Sequence, residues 1–457
     1  MAPMAASLLA ALVLLQVDSA TRPAQTTAFP YPPPARPVMA VAQTVLINVF
    51  VNRVDAWVFN QDWAHVHLSD WKRNLQLGWE WDEDAFGTNM FAHPYHGALY
   101  FNAGRANGLD YFRSVPLAFF GSWTWENFGE TYRPSLNDWV MTSFGGIALG
   151  EMFHRVAATI RDNRARGGGR TFKEIASLPI DPIGGLNRLV RGQWGAVGPN
   201  PPEHDPGSYV LRLGAGYRYA EGWTTDSGTA QLAAVIVDLL YGDPFAQEYR
   251  DPFDVFGLRL ILSAGGGINV LRGSGRLYQT NLNSPSARIR HVLGVNQRYD
   301  YIKNPAQSIG GQSVEIGVNS RWRFGSKGYG LRTALFSDFI ILGAIDAPAT
   351  GFGERNYDFG PGVGARVEVA LERHGARFVR LMWQGEYIHA VSGASADHNV
   401  NFVGAELNVP VLKAFAIAAH ATRFNRTSRY TDGSPTDSRK FTEGRLLLVW
   451  TQAGFGP

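Results

Sequence analysis

From Ser208 almost to the C-terminus the chain alternates apolar and polar residues with a period of two, and this restricts the fold more than any other feature. Tyr209, Leu211, Leu213, Ala215, Tyr217 and Tyr219 alternate with Arg212, Gly214, Gly216 and Arg218. Val314, Ile316 and Val318 alternate with Glu315, Gly317 and Asn319 and lead to Arg321, Trp322, Arg323 and Phe324. The same rhythm returns in Val367, Val369 and Leu371 against Arg366, Glu368 and Glu372, in Leu381 and Trp383 against Arg380 and Gln384, and in Val403 and Leu407 against Glu406 and Asn408. It predicts strands near 208–221, 229–241, 255–266, 274–283, 287–301, 311–324, 329–343, 358–373, 377–391, 398–410, 412–426 and 438–451. An even number of antiparallel strands, each about ten residues or more, is the pattern of a transmembrane β-barrel. Tyr217, Tyr219, Trp322, Tyr387, Phe424 and Trp450 are expected to form its aromatic girdle. A soluble sandwich or lipocalin-type barrel alternates in the same way with the apolar face turned inward, so alternation alone does not separate the two.

Composition favours the membrane reading. Charged residues make up 18% of the chain, below the usual value of about 25%. There are 51 glycines and 12% aromatics. The formal net charge of +3 is small and the basic residues are scattered, which argues against a nucleic-acid partner. Without any cysteine, disulfides and thiolate metal sites are excluded.

The N-terminal half is organised differently. Ser7 to Leu15 is a short apolar run followed by Val17-Asp18-Ser19-Ala20, which reads as a signal peptide over 1–20 and implies export. Residues 21–42 carry Pro23, Pro30, Pro32, Pro33, Pro34 and Pro37 and read as an extended, disordered lead. A helical, aromatic-rich domain is expected over 43–195 and the barrel over 205–457. Apolar spacing predicts an amphipathic helix from Thr44 to Asn60, with Asn48, Asn52, Arg53 and Asp55 on its polar face. Leu75 to Asp82 reads as a strand or extended entry. Helices are expected over Tyr95–Ala106, Pro116–Phe128, Pro134–Ile160 with Asp138 in a capping box, and Lys173–Leu178. Gly145, Gly146 and Gly150 are placed to let a neighbouring helix approach closely. No apolar run after the signal reaches 18 uncharged residues, so any membrane crossing is assigned to strands.

Trp79 to Arg155 concentrates the residues able to do chemistry. His93 and His96 form an H-x-x-H, Glu126 and Glu130 lie one turn apart, and Glu151 and His154 form an E-x-x-H. Glu-x-x-His from two helices with a Glu from two others is the di-iron carboxylate set, and only one E-x-x-H appears here. The candidate acid, base or metal residues are therefore His93, His96, Glu126, Glu130 and Glu151, with His154 as a further metal candidate. The competing structural reading pairs them with Arg105, Arg133 and Arg155. Further along, His389 and Ser392 share a strand end but point to opposite faces. The triple-glycine runs at 167–169 and 265–267 lack a phosphate-loop context and read as turns.

Trp81-Asp82-x-Asp84, His93-Pro94-Tyr95-x-Gly97, Gly121-Ser122-x-x-Trp125-Glu126-x-x-Gly129-Glu130, Pro134-Ser135-x-Asn137-Asp138 and Gly150-Glu151-x-x-x-Arg155 together resemble an uncharacterised family. It is a domain of unknown function found in predicted outer-membrane proteins of Gram-negative bacteria. The resemblance implies an envelope location and a similar architecture, and carries no activity or cofactor. The sequence thus leads to an exported outer-membrane barrel with helices plugging it or docking on it. Expected partners are outer-membrane lipid, the barrel assembly machinery during insertion, and a small-molecule or lipid ligand to bind or transport; no cofactor is expected. The alternative is an envelope hydrolase or transferase that acts on lipid or glycan through the Glu/His cluster.

Overall fold

A computed structural model describes residues 29–204, 207–221, 230–264, 267–283, 288–304, 307–324, 328–347, 355–373 and 376–455. The expected signal peptide, the lead as far as residue 28, and Gly265 and Gly266 lie outside the described residues. The chain divides into two compact units, the first helical and the second a barrel that begins at Gly207.

The helical unit opens with α1 (Pro37–Trp57), which starts inside the expected lead because Pro37 occupies the first helical turn, where its missing N–H is no loss. Those extra residues make α1, among the described residues, the one helix long and apolar enough to cross a membrane: 21 residues, with a mean hydropathy of 1.4 over its best window. It qualifies by length and composition with the charges of Arg53 and Asp55 included; the uncharged run of α1 ends at Arg53. Its facing is also reversed. Asn48 and Asn52 turn into the unit, where Asn48 donates to the Gly121 carbonyl at 3.0 Å and Asn52 to the Ala64 and Gly129 carbonyls at 2.9 and 2.8 Å. Leu46, Val49, Phe50 and Trp57 are exposed on the other side.

Next comes α2 (Leu68–Leu77), which takes the first three residues of the expected strand or extended entry over Leu75–Asp82. Gly78 to Asp82 are not helical, and Glu80 makes a parallel bridge to Ser135. A π-helical turn, Thr88–Ala92, runs into α3 (His93–Ala106). The following helix, α4 (Tyr111–Phe128), starts five residues before the expected Pro116 because the Asp110 side chain caps it, accepting from the Arg113 N–H at 2.8 Å. After it, α5 (Leu136–Val140), a second π turn (Met141–Gly145) and α6 (Gly146–Ile160) follow without a break. Ser135 and Asp138 do not form the expected capping box, since no side-chain cap bond is made there. The unit ends with α7 (Gly167–Ser177), whose first turn uses the glycines that the sequence places in a turn, and α8 (Pro182–Val190).

Helices α3 and α6 touch backbone to backbone. A Cβ on Gly97 would lie 1.8 Å from the Thr142 carbonyl oxygen, and one on Gly146 would lie 2.3 Å from the Gly97 carbonyl carbon. The small residues serve the close approach that their spacing implied.

The barrel consists of β1 (Ser208–Glu221), β2 (Ala230–Tyr241), β3 (Phe256–Ser263), β4 (Gly267–Asn281), β5 (Ile289–Asn304), β6 (Gln307–Phe324), β7 (Tyr329–Asp346), β8 (Tyr357–Arg373), β9 (Ala376–His389), β10 (Ala396–Pro410), β11 (Phe415–Tyr430) and β12 (Asp437–Phe455). Each strand pairs antiparallel with its sequence neighbours, and β12 closes on β1. The wall is inside-out relative to a soluble protein. Tyr217, Leu335, Phe339, Leu381, Val403, Leu407 and Leu446 face outward and exposed, while Arg218, Glu315, Asp338, Glu406 and Glu443 are buried in the lumen. A soluble barrel would hide the first set and expose the second; hydrocarbon around the wall accounts for both. One girdle residue is corrected: Phe424 points inward, its ring tilted against those of Phe402 and Phe441 at centroid distances of 4.9 and 6.0 Å. Among the lumen charges, Arg323 lies at a strand end and is exposed.

Candidate functional site

The segment around Asp82 is clamped against the start of α5. The Glu80 N–H donates to the Pro134 carbonyl at 2.9 Å and the Leu136 N–H donates to the Glu80 carbonyl at 2.8 Å. This brings Asn137 to Asp82: its amide donates to Asp82 Oδ1 at 2.6 Å and to Asp138 Oδ1 at 2.8 Å, and the Asn89 amide donates to Asp82 Oδ1 at 2.8 Å. Across from them, Glu126 on α4 accepts the Ser135 N–H at 2.8 Å and stands against the Glu130 carboxyl. His93, at the start of α3 after the first π turn, directs Nε2 to within 3.6 Å of Asp138 Oδ1 and 4.0 Å of Asp84 Oδ2.

His93, Glu126 and Glu130 are thus gathered with Asp82, Asp84 and Asp138, three acids that the sequence reading did not select. The charged groups that bear on Glu126, Glu130 and Asp138 are one another and Asp82 and Asp84, all carboxyls. Burial lifts Glu126 to about 8, against the Ser135 N–H and with Asp82 adding to the rise. Burial, then the neighbouring carboxyls, puts Glu130 and Asp138 well above their ordinary range. His93 is lowered by burial, which Asp82 partly opposes. His96, one turn on, is engaged by its neighbours: its ring lies 4.9 Å from that of Trp125, its Nε2 is 2.9 Å from the Tyr100 hydroxyl, and burial and then His93 hold it neutral, down to about 3.

Glu151 and His154 belong elsewhere. Glu151 is clasped by Arg105 at 2.9 Å and Arg155 at 2.8 Å, and these two guanidiniums outweigh burial and lower its carboxyl. His154 lies 3.7 Å from Asp181 and 3.8 Å from Glu203. Of the arginines expected to neutralise the cluster, Arg105 and Arg155 serve Glu151 and Arg133 serves Glu80 at 2.9 Å.

Asp181 carries a pH prediction. Burial would raise its carboxyl, but Arg161 at 3.0 Å and then His154 hold it at about 2. A depressed acid contributes stability above its unfolded pKa of about 3.9 and loses it as pH falls through the folded value. The shift is worth at most about 2–3 kcal/mol, because burial lowers Arg161 by more than Asp181 recovers. We expect the helical unit of the wild type to lose this stability between about pH 4 and pH 2. Asp181→Asn should be less stable at neutral pH and flatter across that window in circular-dichroism melts; an unchanged acid limb would count against the pairing.

Inside the barrel, ion pairs link neighbouring strands along the wall, as Arg218 and Glu443 do between β1 and β12 at 2.7 Å, and others span the lumen. Arg259 on β3 reaches Glu406 on β10 at 2.8 Å, and Arg298 on β5 reaches Glu386 on β9, strands that are not neighbours in the wall. Ile302, Ile309, Val400, Phe402, Phe424 and Phe441 add an apolar layer. A cavity of about 270 Å³ remains, lined by ten arginines and five carboxylates. The Arg212 guanidinium, on the cavity wall, makes no ion pair or hydrogen bond among the described residues; Asp238, Glu406, Arg380 and Arg259 are the charges nearest to bearing on it. His389 pairs with Asp397 at 2.8 Å on an exposed strand end, so it forms no dyad with Ser392, which bridges to Phe359.

Among solved structures the chain is similar to the NanC porin, at 10% identity over 52% of this chain and 98% of that one with a TM-score of 0.28. It is similar also to the KdgM porin, at 8% identity over 52% and 98% with a TM-score of 0.23. For an anion-selective porin from Comamonas acidovorans the values are 7%, 54%, 100% and 0.22. No curated protein matches the chain in sequence. Residues 78–183, which hold the whole carboxylate and histidine cluster, match the family described as Domain of unknown function (DUF3943).

Proposed function

We propose that the protein is an outer-membrane barrel that binds and passes a small anionic solute through an arginine-rich lumen. The observation that carries this reading is that, among the arginines lining the 270 Å³ cavity, Arg212 is left without an ion pair or hydrogen bond within the described residues. A guanidinium in a low-dielectric wall without a direct ion pair or hydrogen bond is costly, and an anionic ligand offsets that cost. The cross-lumen pairs and the Phe402–Phe424–Phe441 layer keep the passage narrow, which suits a small solute and a low conductance.

The test is ion selectivity of the purified full-length protein in planar bilayers under a potassium chloride gradient. The expected reversal potential lies on the chloride side. Arg212→Glu should move it toward the cation side, and Glu406→Gln, which releases Arg259 and Arg380, should raise the conductance severalfold. A cation-selective wild type, or one whose selectivity ignores Arg212→Glu, would overturn the reading.

A further inference from the structure

Beyond any transport by the barrel, the helical unit has a cluster with the composition and spacing of a metal centre. One oxygen from Asp82, one from Asp84 and a ring nitrogen of His93 lie within 4.8 Å of one another. That spacing is close to the separation of at most about 4.4 Å between two ligands of one first-row divalent ion bound at about 2.0–2.2 Å, so a small inward movement of the side chains lets a single ion touch all three. His93 Nε2 is enclosed by protein and has no hydrogen-bond partner, although it points at Asp84 and Asp138. An enclosed ring nitrogen with no partner is costly unless something not yet present accepts its lone pair. In the tautomer that leaves Nε2 without a proton, its lone pair suits a cation and not an ionised carboxylate.

The neighbouring groups are organised as outer-sphere support. Asn89 and Asn137 both donate to Asp82 Oδ1 and so fix the orientation of that carboxylate, and Asn137 also holds Asp138. The Ser135 N–H fixes Glu126. The two π-helical turns among the described residues abut the cluster, one ending at Ala92 beside His93 and the other beginning at Met141 shortly after Asp138. Such turns recur at functional sites because the extra residue re-aims side chains on either side.

We propose that Asp82, Asp84 and His93, with Asp138, Glu126 and Glu130 behind them, bind a divalent first-row transition-metal ion. Oxygen donors with one imidazole suit Mn²⁺, Fe²⁺ or Zn²⁺ and disfavour Cu⁺, which prefers sulfur. The candidates Glu151 and His154 are outside this set, being engaged by Arg105, Arg155, Asp181 and Glu203.

The test uses the full-length protein in detergent, stripped with chelator and titrated with Mn²⁺ by calorimetry and by electron paramagnetic resonance. The expected result is saturable binding of one ion per chain with nitrogen modulation in the pulsed spectrum. His93→Asn should abolish the nitrogen signal, and Asp84→Asn should weaken affinity at least about tenfold. The Asp84 side chain is half exposed, so its loss spares the fold, and the adjacent exposed Glu83→Gln serves as the charge control. Binding that is absent in the wild type, or that is lowered as much by Glu83→Gln as by Asp84→Asn, or that shows no nitrogen ligand, would overturn the proposal.

Discussion

Replacing Arg298 with leucine is expected to destabilise the barrel by about 3–5 kcal/mol, the usual cost of removing one partner from a buried ionic group. Arg298 is almost wholly buried and meets Asp300 at 2.8 Å, Glu315 at 3.3 Å, Asp338 at 2.6 Å and Glu386. Glu315 keeps Arg366 at 3.0 Å and Asp300 keeps Arg272 at 2.7 Å after the substitution. Among the described residues, Asp338 keeps no basic ion-pair partner and is itself buried, and Glu386 is left with the Gln384 amide alone, so the loss is assigned to these two carboxylates. The measurement is the temperature at which the unheated, fast-migrating band converts to the unfolded band on a gel. Arg298→Leu should lower it strongly, and adding Asp338→Asn should recover part of the loss, since an amide needs no counter-charge. Equal transition temperatures for wild type and Arg298→Leu would show that lumen water satisfies these carboxylates. Because Arg298 also reaches across to β9, the same variant is expected to conduct more in the bilayer assay.

Gly97→Ala is expected to disrupt the helical unit while leaving the barrel intact. The added methyl would stand 1.8 Å from the Thr142 carbonyl oxygen and 2.7 Å from its carbon, and backbone cannot rotate away as a side chain can. Overpacking ordinarily costs about 1–3 kcal/mol, and a collision with backbone puts Gly97→Ala at or above the upper end. Limited proteolysis should cut the helical segment of the variant at concentrations the wild type resists, while the heat-modifiable band of the barrel persists. If both units resist as in the wild type, the α3–α6 contact is looser than described. Metal binding should fall with it, because His93 lies on α3 one turn before Gly97 and Thr142 follows Asp138 on the neighbouring run.

Strand positions were legible because a barrel wall has two different solvents, and each strand records them residue by residue. Arg366, Glu368, Arg380 and Glu406 fall on the lumen side and Leu381, Val403 and Leu407 on the outer side, as the period of two requires. Phe424 was misassigned because an aromatic on a strand reads the same whether it belongs to an outer girdle or to an inner apolar layer. In α1, periodicity located a helix and its two faces but assumed the polar one faced water. Asn48 and Asn52 are inside because they satisfy the carbonyls of Gly121, Ala64 and Gly129, and nothing in the spacing of α1 records those distant acceptors.

The site shows the same division. Helical spacing made His93 and His96 neighbours, and likewise Glu126 with Glu130 and Glu151 with His154, since residues three or four apart share a face. It could not tell which faces meet. Asp82 and Asp84 stand in the W-D-x-D run but outside any helix, and Asp138 was assigned to a cap, so their meeting with His93 depends on the Glu80–Ser135 bridge. By itself the sequence determined the two-part organisation, the alternating wall and the residues with chemical potential, because these follow from local period and composition. Only the tertiary structure decided which carboxyls share a pocket with His93 and which arginines cross the lumen. Those are pairings between residues far apart in the chain, set by how helices pack and how the barrel closes.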